Sequence, residues 1–525
     1  MDNENSTHKE RVELLSTIER KIENIFSMHI LIILSVIIIS LFFRIYFTRF
    51  EFPLESPDAL LYLLEAKQIS SNNFDGIPIN YGWQAFLSFF NSFIPLEANS
   101  NGMDLIRMVS IFISVGTIPV VYQLSKKIMN NTFSLVAAAF FAFDPNLIEN
   151  STFGITEPIF ILCGLLSILF LLYRNTYGII LAGIFAGFTL DIRLNGIVLF
   201  VLIIISILSQ KNKNIIIKQL TIFLLVFVIA VIPFLLQSEN HGIPFYSLPG
   251  EILDDASKTI APSLESSKIN LNFGEKLFFG ISEEFKHIFR IMIPYLALFV
   301  PFGLLMMLSN RDFNKNIIIF VIILSLIVAI PQYLVSLEYR NLFFILPLFS
   351  IIAAYGLEKI LDGKKYKNIF IILLVAGVIL LSYDMLRERH DIDYELLVEK
   401  EMFGKYVANT FNGIIMGDLY NHIQHNISDA RYGYGVGGQI RNDNIGFVGF
   451  GPPTNSLKDI TDYIKNAKIS HIVIDNNLDK RSPELVKIYS NEIKYPFLKE
   501  VFNSENEGYT KLRVKIFEID HDKLE

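Results

Sequence analysis

The residues most able to do chemistry in this chain are charged groups placed where a membrane would exclude charge. Asp58, Asp144, Glu149, Glu157, Asp191, Arg193, Glu338 and Arg340 all stand in or beside long apolar runs. An ionised side chain at the centre of a spanning helix costs about 2.5–3.5 kcal/mol. Such residues are therefore read first as functional. An arginine that grips an anionic leaving group and a carboxylate that takes a proton from an incoming hydroxyl make a matched pair for group transfer. A lipid phosphate at the bilayer edge would supply the leaving group.

The elements that must position these groups are membrane helices. Of the 525 residues, 52% are hydrophobic and 18% charged, against about 25% charge in a soluble domain. The deficit is confined to residues 28–384, whereas 1–27 and 385–525 read as ordinary polar protein. The chain is thus expected to be a polytopic α-helical membrane protein with about eleven spans and a C-terminal α/β soluble domain. The spans fall at Met28–Phe47, Leu105–Leu124, Phe133–Phe143, Ile159–Tyr173, Gly178–Leu190, Gly196–Leu208, Lys218–Leu236, Ile288–Leu308, Ile317–Ser336, Leu342–Ile360 and Ile369–Tyr383. Several fall short of the ~20 residues of a full span and need flanking turns. The hydrophilic start followed by a run of spanning length reads as a signal anchor rather than a cleaved leader.

Lysine and arginine sort these loops into two sets. Lys9, Arg11, Arg20, Lys21, Lys126, Lys127, Arg174, Lys211, Lys213, Lys218, Arg311, Lys315, Lys359, Lys364, Lys365 and Lys367 fall on one side, and the short connections on the other carry only Arg193 and Arg340. By the positive-inside rule the N-terminus is cytoplasmic and the soluble tail extracytoplasmic in a multi-pass cell-membrane protein. The candidate chemical residues then share the outer face. Two outer loops are long, 48–103 and 237–287. In the first, Asp58–Ile69 and the aromatic Trp83–Phe93 read as helices lying on the membrane surface. The second is polar. In the tail, Glu395–Phe411 is an amphipathic helix, Gly413–Met416, Ile469–Asp475 and Leu512–Ile519 read as strands, and a helix opens at Ser456. The Gly-rich 433–451 lacks the Lys-Ser/Thr ending of a phosphate loop and reads as irregular. The net charge of −7 shows no basic face for nucleic acid. The single cysteine, Cys163, excludes an internal disulfide.

Six short motifs, in order, resemble the GT-C superfamily of polyprenyl-phosphate-dependent glycosyltransferases, in its protein-mannosyltransferase and aminoarabinose-transferase-like branch. Ser56-Pro57-Asp58-Ala59-Leu60-Leu61-Tyr62 looks like the family's Asp-Glu-x-x-Tyr element, and Asn80-Tyr81-Gly82-Trp83-Gln84 like the stretch opening its second surface helix. Ser151–Pro158 is similar to its acidic second outer loop. Leu190-Asp191-Ile192-Arg193-Leu194-Asn195-Gly196 is similar to its Thr-Arg-Pro-x-Gly span end. Asn240–Tyr246 resembles its Gly-x-Pro-Phe-Tyr turn, and Glu338-Tyr339-Arg340 with Leu346-Pro347-Leu348 its Arg-Tyr-leucine span. The resemblance covers roughly residues 30–361. It departs at Ala59, where a second acid often stands, at Leu194 in place of proline, and in lacking the Trp-Trp-Asp-Tyr-Gly element of oligosaccharyltransferases.

The resemblance implies an inverting glycosyltransferase. It would move a sugar from a polyprenyl- or dolichyl-phosphate donor to a hydroxyl of a protein, lipid or glycan acceptor at the outer face. Asp58 would be the general base; its alternative is an N-cap of the following helix. Glu157 would position acceptor or a divalent cation, or start its helix beside Pro158. Arg340 and Arg193 would bind the lipid phosphate; their alternatives are local ion pairs with Glu338 and Asp191. Tyr62, Tyr339 and His241 would line the pocket or anchor in the interface. The residues single out no cofactor, and a divalent metal ion at Asp58 and Glu157 is the one candidate. Rival readings are a secondary transporter or lipid flippase, which would need polar residues at midspan, and an inactive GT-C-like scaffold.

Overall fold

The computed structural model describes residues 28–53, 56–74, 77, 80–91, 93, 100–240, 273–292, 294–309, 312–333, 339–417, 419, 422–423, 440–441, 445–448, 457–476 and 483–524. Helices dominate up to Thr410: α1 (Met28–Phe47), α2 (Pro57–Ser70), α3 (Gly82–Phe90), α4 (Ser100–Ser125), α5 (Asn131–Ala142), α6 (Pro145–Thr152), α7 (Glu157–Leu171), α8 (Thr176–Ile192), α9 (Ile197–Leu208), α10 (Lys213–Asn240), α11 (Phe273–Met292), α12 (Leu296–Ser309), α13 (Phe313–Tyr333), α14 (Leu346–Leu361) and α15 (Lys367–Thr410). Six of the described helices are long and apolar enough to cross a membrane, and four apolar helices (α5, α7, α8 and α9) are shorter. Two of the short ones lie in the middle of the bundle: nearly every residue of α5 and most of α7 are buried. Neighbouring helices cover what a lone span would expose to lipid. The outer helices keep apolar faces exposed, such as Leu31, Ile38 and Phe42 of α1 and Ile372, Leu373 and Leu380 of α15. That is the distribution a lipid solvent demands.

The eighth expected span, Ile288–Leu308, is not one straight helix. Segments Phe278–Met292 and Leu296–Ser309 meet at 109°. Pro294 sits in the break; its ring lacks a donor and clashes with the preceding turn. The expected loop 237–287 is likewise partly helical at its end, since α11 begins at Phe273. Phe278, Ile281, Phe285 and Phe289 recur along it at helical spacing, all exposed, which marks a helix lying at an interface.

Helices α2 and α3 pack together, as Glu65 accepts a 2.7 Å hydrogen bond from Gln84 Nε2. Ala59, Leu60, Leu63 and Leu64 of α2 and Trp83 and Leu87 of α3 are buried. The Trp83 indole donates to the Gly154 carbonyl at 3.2 Å, tying α3 to the turn before α7. Inside α1 the fully buried Arg44 is satisfied by the Ser114 hydroxyl at 3.1 Å and the Ala142 carbonyl at 2.9 Å. That bonding is the condition for burying a charge.

The tail is an α/β layer. Strands β1 (Gly413–Gly417), β2 (Ile440–Arg441), β3 (Ile445–Val448), β4 (Ile469–Asp475), β5 (Leu498–Asn503) and β6 (Val514–Ile519) form a six-stranded sheet in the order β2-β3-β1-β4-β6-β5. β3, β1 and β4 are parallel, and β2, β5 and β6 run antiparallel to their neighbours. Helices α16 (Leu457–Ala467) and α17 (Pro483–Tyr489) accompany it. Two of these strands, β2 and β3, fall inside the Gly-rich 433–451 that reads as an irregular loop: glycines mask the two short apolar runs Ile440 and Ile445–Val448. No break separates membrane and tail. α15 is one helix of 44 residues running from a spanning segment into the tail.

Candidate active site

Each candidate residue sits at the start or end of an element. Asp58 lies in the first turn of α2, where its charge suits the helix N-terminus. Ser56 occupies the cap position and no side-chain capping bond is made, so the carboxylate of Asp58 is left for another partner. Glu157 opens α7 beside Pro158. Arg193 follows α8 in an extended conformation, before a 3-10 turn at Leu194–Gly196. That turn folds hard against α8: a Cβ on Gly196 would stand 2.6 Å from the backbone of Thr189 and Leu190. Glycine here is a steric requirement, and it aims Arg193 back at α7. Arg340 stands in a 3-10 segment, Tyr339–Ile345, that leads into α14.

These four residues converge. Arg340 Nη2 donates to Asp58 Oδ2 at 2.7 Å, and its Nε lies 3.9 Å from Glu157 Oε1. Arg193 Nη1 donates to the same Glu157 oxygen at 2.5 Å and Nη2 to Asn341 Oδ1 at 3.1 Å. The order is Asp58–Arg340–Glu157–Arg193–Asn341, drawn from segments up to 282 positions apart in sequence. Burial is graded along it. The Glu157 side chain is 3% exposed, Arg193 21%, Arg340 28% and Asp58 40%. The buried glutamate thus anchors both guanidiniums while Asp58 and the outer faces of the arginines stay reachable. Tyr62, one turn after Asp58, is partly buried against the helix core and within electrostatic reach of all four charges. Burial, reinforced by Asp58 and Glu157, holds its phenol above the usual range and keeps it a neutral hydrogen-bonding group.

Arg193 pairs with Glu157 rather than with its sequence neighbour Asp191, and Asp58 with Arg340 rather than with its own helix. Tyr339 packs on the Arg290 guanidinium, 4.8 Å from the ring centre, and on Phe343. His241 and Glu338 lie outside the described residues. Asn341 escaped the sequence reading, although it immediately follows Arg340.

Beside the charge cluster, an apolar cavity of ≈ 650 Å³ lies between α2–α3 and α7, α8 and α10. Phe74, Phe86, Leu162, Phe185 and Phe188 help line it, and Asp191 is the one acid in its wall. Gly82 presses α3 against the end of α8 at its rim: a Cβ there would stand 2.9 Å from the Asp191 backbone.

As for a metal, no group of three or more His, Cys, Asp or Glu that could hold one gathers among the described residues. Asp58 and Glu157 are each engaged by a guanidinium. A donor set so arranged fits an anion held by arginines better than the oxygen shell of a hard divalent cation.

Residues 88–236 match the family described as dolichyl-phosphate-mannose-protein mannosyltransferase. No curated protein matches in direct sequence comparison. Among solved structures, the chain is similar to ArnT from Cupriavidus metallidurans bound to undecaprenyl phosphate (11% identity, 93% of this chain and 97% of that one, TM-score 0.54). It is also similar to the oligosaccharyltransferase of Archaeoglobus fulgidus in the apo form (10% identity, 86% and 70% covered, TM-score 0.53). The third likeness is to the oligosaccharyltransferase AglB of the same organism with an inhibitory peptide and a dolichol-phosphate (11%, 85% and 70%, TM-score 0.50). The chain shares the fold of these solved structures, and its segment 88–236 carries the mannosyltransferase-family match.

Proposed function

We propose that this GT-C membrane protein transfers a sugar from a polyprenyl-phosphate donor to an acceptor hydroxyl at the extracytoplasmic water–lipid boundary, inverting the anomeric centre. The observation that carries the reading is the single chain of contacts Asp58–Arg340–Glu157–Arg193. The donor phosphate docks on the outer faces of Arg340 and Arg193, which Glu157 holds in place from below. As Arg340 turns to the phosphate it releases Asp58, so the base is unmasked only when donor arrives. The acceptor oxygen then attacks the anomeric carbon, and its proton passes to Asp58. The bond from that carbon to the phosphate oxygen breaks. Its electron pair stays on the phosphate, where the arginines meet the growing charge. Tyr62 donates a hydrogen bond to donor or acceptor. The apolar cavity beside the cluster takes the first isoprenoid units of the donor, and no step is routed through a metal. The positive-inside pattern supports a site and a soluble tail outside the cell.

The test is Asp58→Asn in membranes supplied with labelled polyprenyl-phosphate sugar. Transfer falls by about 10²–10⁴-fold, the usual contribution of a positioned general base, with normal expression. Wild-type transfer from the variant removes the mechanism.

A further inference from the structure

We propose that Asp191 is a specificity-determining residue, whose carboxyl accepts a hydrogen bond from a hydroxyl of the donor's sugar at the polar corner of the apolar cavity. The assignment rests on the sugar transfer proposed above and goes beyond it to the group that selects the sugar. The transfer steps at Asp58 and the two arginines do not involve Asp191.

Nothing in the fold calls for an acid at this position. Only 8% of the residue is exposed, and it lines the cavity. Its buried Oδ1 has no hydrogen-bond partner, and no ion pair or hydrogen bond reaches either carboxyl oxygen among the described residues. A buried acceptor without a partner gives up its hydration and gains nothing for it. Asp191 also stands in the last turn of α8, where the helix carbonyls already gather negative charge. The neighbour that could neutralise it, Arg193, turns to Glu157 at 2.5 Å instead. Burial, a missing partner and the wrong end of a helix all act against this carboxyl. Groups that break local rules in this way collect at functional sites.

The surroundings define the missing partner. Asp191 and Ile192 bring the cavity wall to within two residues of Arg193. At about 3.8 Å between successive Cα atoms, the carboxyl therefore stands one sugar ring or less from a phosphate on that arginine. Such a phosphate carries two substituents. The isoprenoid has no hydrogen to donate, and it gains from the apolar wall at Phe86, Leu162, Phe185 and Phe188. The sugar carries several hydroxyls, each able to donate to a carboxyl oxygen. A second polar group meets the same corner. Burial, reinforced by Asp191, holds the Tyr81 phenol above its usual range, so it stays a neutral donor and acceptor. The Tyr81 ring stands edge-on to Phe74, 6.1 Å between centres. Asn80 Nδ2 donates to the Ile192 carbonyl at 3.5 Å, and Gly82 is seated on the Asp191 backbone. The segment carrying Tyr81 is thus fastened to the turn carrying Asp191, and the two groups are held as one unit.

The experiment uses the full chain, purified in detergent, with polyprenyl-phosphate mannose, glucose, galactose and N-acetylglucosamine as donors. The sugar that the wild type transfers fastest is then compared with its monodeoxy analogues, each lacking one ring hydroxyl. The wild type is expected to reject one analogue by about ten- to a hundredfold in kcat/KM, the scale of one hydrogen bond to a carboxylate. Asp191→Leu should lose about that factor with the parent sugar and treat parent and analogue alike, the signature of a direct pair. Asp191→Asn, whose amide oxygen still accepts, should keep part of the discrimination. Thermal unfolding without donor separates this role from a structural one. Removing a buried carboxyl that has no partner should leave the midpoint of Asp191→Leu level or higher, whereas an acid that holds the fold together predicts a lower one. Undiminished discrimination in Asp191→Leu, or a lower midpoint, overturns the assignment while wild-type transfer leaves the sugar-transfer reading standing. Absence of transfer by the wild type from every donor overturns both.

Discussion

Two guanidinium clusters stand at the ends of spans in this molecule, and they are built to different rules. In the Asp58–Arg340–Glu157–Arg193 chain, two arginines face two carboxylates, and each arginine touches at least one acid. Around Arg49, Arg107 and Arg389, by contrast, Arg107 pairs with Asp104 and Arg389 with Glu149, and the carbonyls of His390 and Pro53 accept from Arg49 and Arg107. In the first, Arg340 bridges two acids, so on the proposed reading an incoming phosphate competes with Asp58 for it. The second is built of separate one-to-one pairs.

That contrast predicts unequal responses to losing one carboxylate. Asp58→Asn abolishes turnover to the extent given above yet leaves donor-lipid binding intact or tighter, since Arg340 loses a competitor. Wild-type turnover with weaker donor binding would erase the distinction between the clusters. Next in size is Gly196→Ala. A methyl group 2.6 Å from backbone forces the turn open, and Arg193 leaves Glu157. Transfer should fall by about a hundredfold, the scale reported when a positioning contact shifts by an ångström. Unchanged kinetics would detach Arg193 from the site.

Glu157→Gln sharpens the comparison further, because it removes the charge of the acid that links the two arginines. The amide still accepts a hydrogen bond but no longer balances charge. The prediction is a tenfold or smaller loss in kcat with little change in KM for the donor. A rise in KM alone would recast Glu157 as a binding contact rather than an organiser of the arginines.

The smallest effect concerns a carboxylate with no guanidinium among its recorded hydrogen bonds. Glu399 of α15 accepts from the backbone N–H groups of Thr510, Lys511 and Leu512 and from the Thr510 hydroxyl, at 2.6–2.8 Å. Burial works against its ionisation, but those four donors overcome it and hold the carboxyl down to about 2. With the folded value below the ordinary value of 4.5, this contact contributes fully above about pH 4.5 and fades as pH falls toward 2. Hydrogen exchange at residues 510–512 should therefore quicken only in that acid window. In Glu399→Gln the window should vanish, with exchange slightly faster at every pH.

Much of this was legible in the sequence because bilayers impose length and polarity on helices. The expected runs at Phe133–Phe143, Ile159–Tyr173, Gly178–Leu190 and Gly196–Leu208 correspond to α5, α7, α8 and α9 within a few residues. The surface helix Asp58–Ile69 corresponds to α2, and the strand Ile469–Asp475 to β4. Asp58, Glu157, Arg193 and Arg340 could be singled out since charge beside apolar runs is costly, yet their pairing could not. Spacing offered Asp191 to Arg193 as a neighbour, and only the folding back of the Leu194–Gly196 turn delivers Glu157 instead. The Pro294 break went unread because apolar residues continue on both sides, so composition alone saw one span. Arg389 was invisible as a partner of Glu149, 240 positions away, because nothing local records a meeting at that distance.

The uninterrupted α15 carries a further implication. At 1.5 Å and 100° per residue, its 44 residues form a shaft of about 66 Å that fixes the azimuth of the sheet above the lipid. Inserting a single alanine beyond Arg389 would lift the tail by little more than an ångström yet swing it through about a quarter turn, whereas seven alanines would restore its heading. The tail is clocked to the membrane helices, and its orientation is written in the count of residues along one rod.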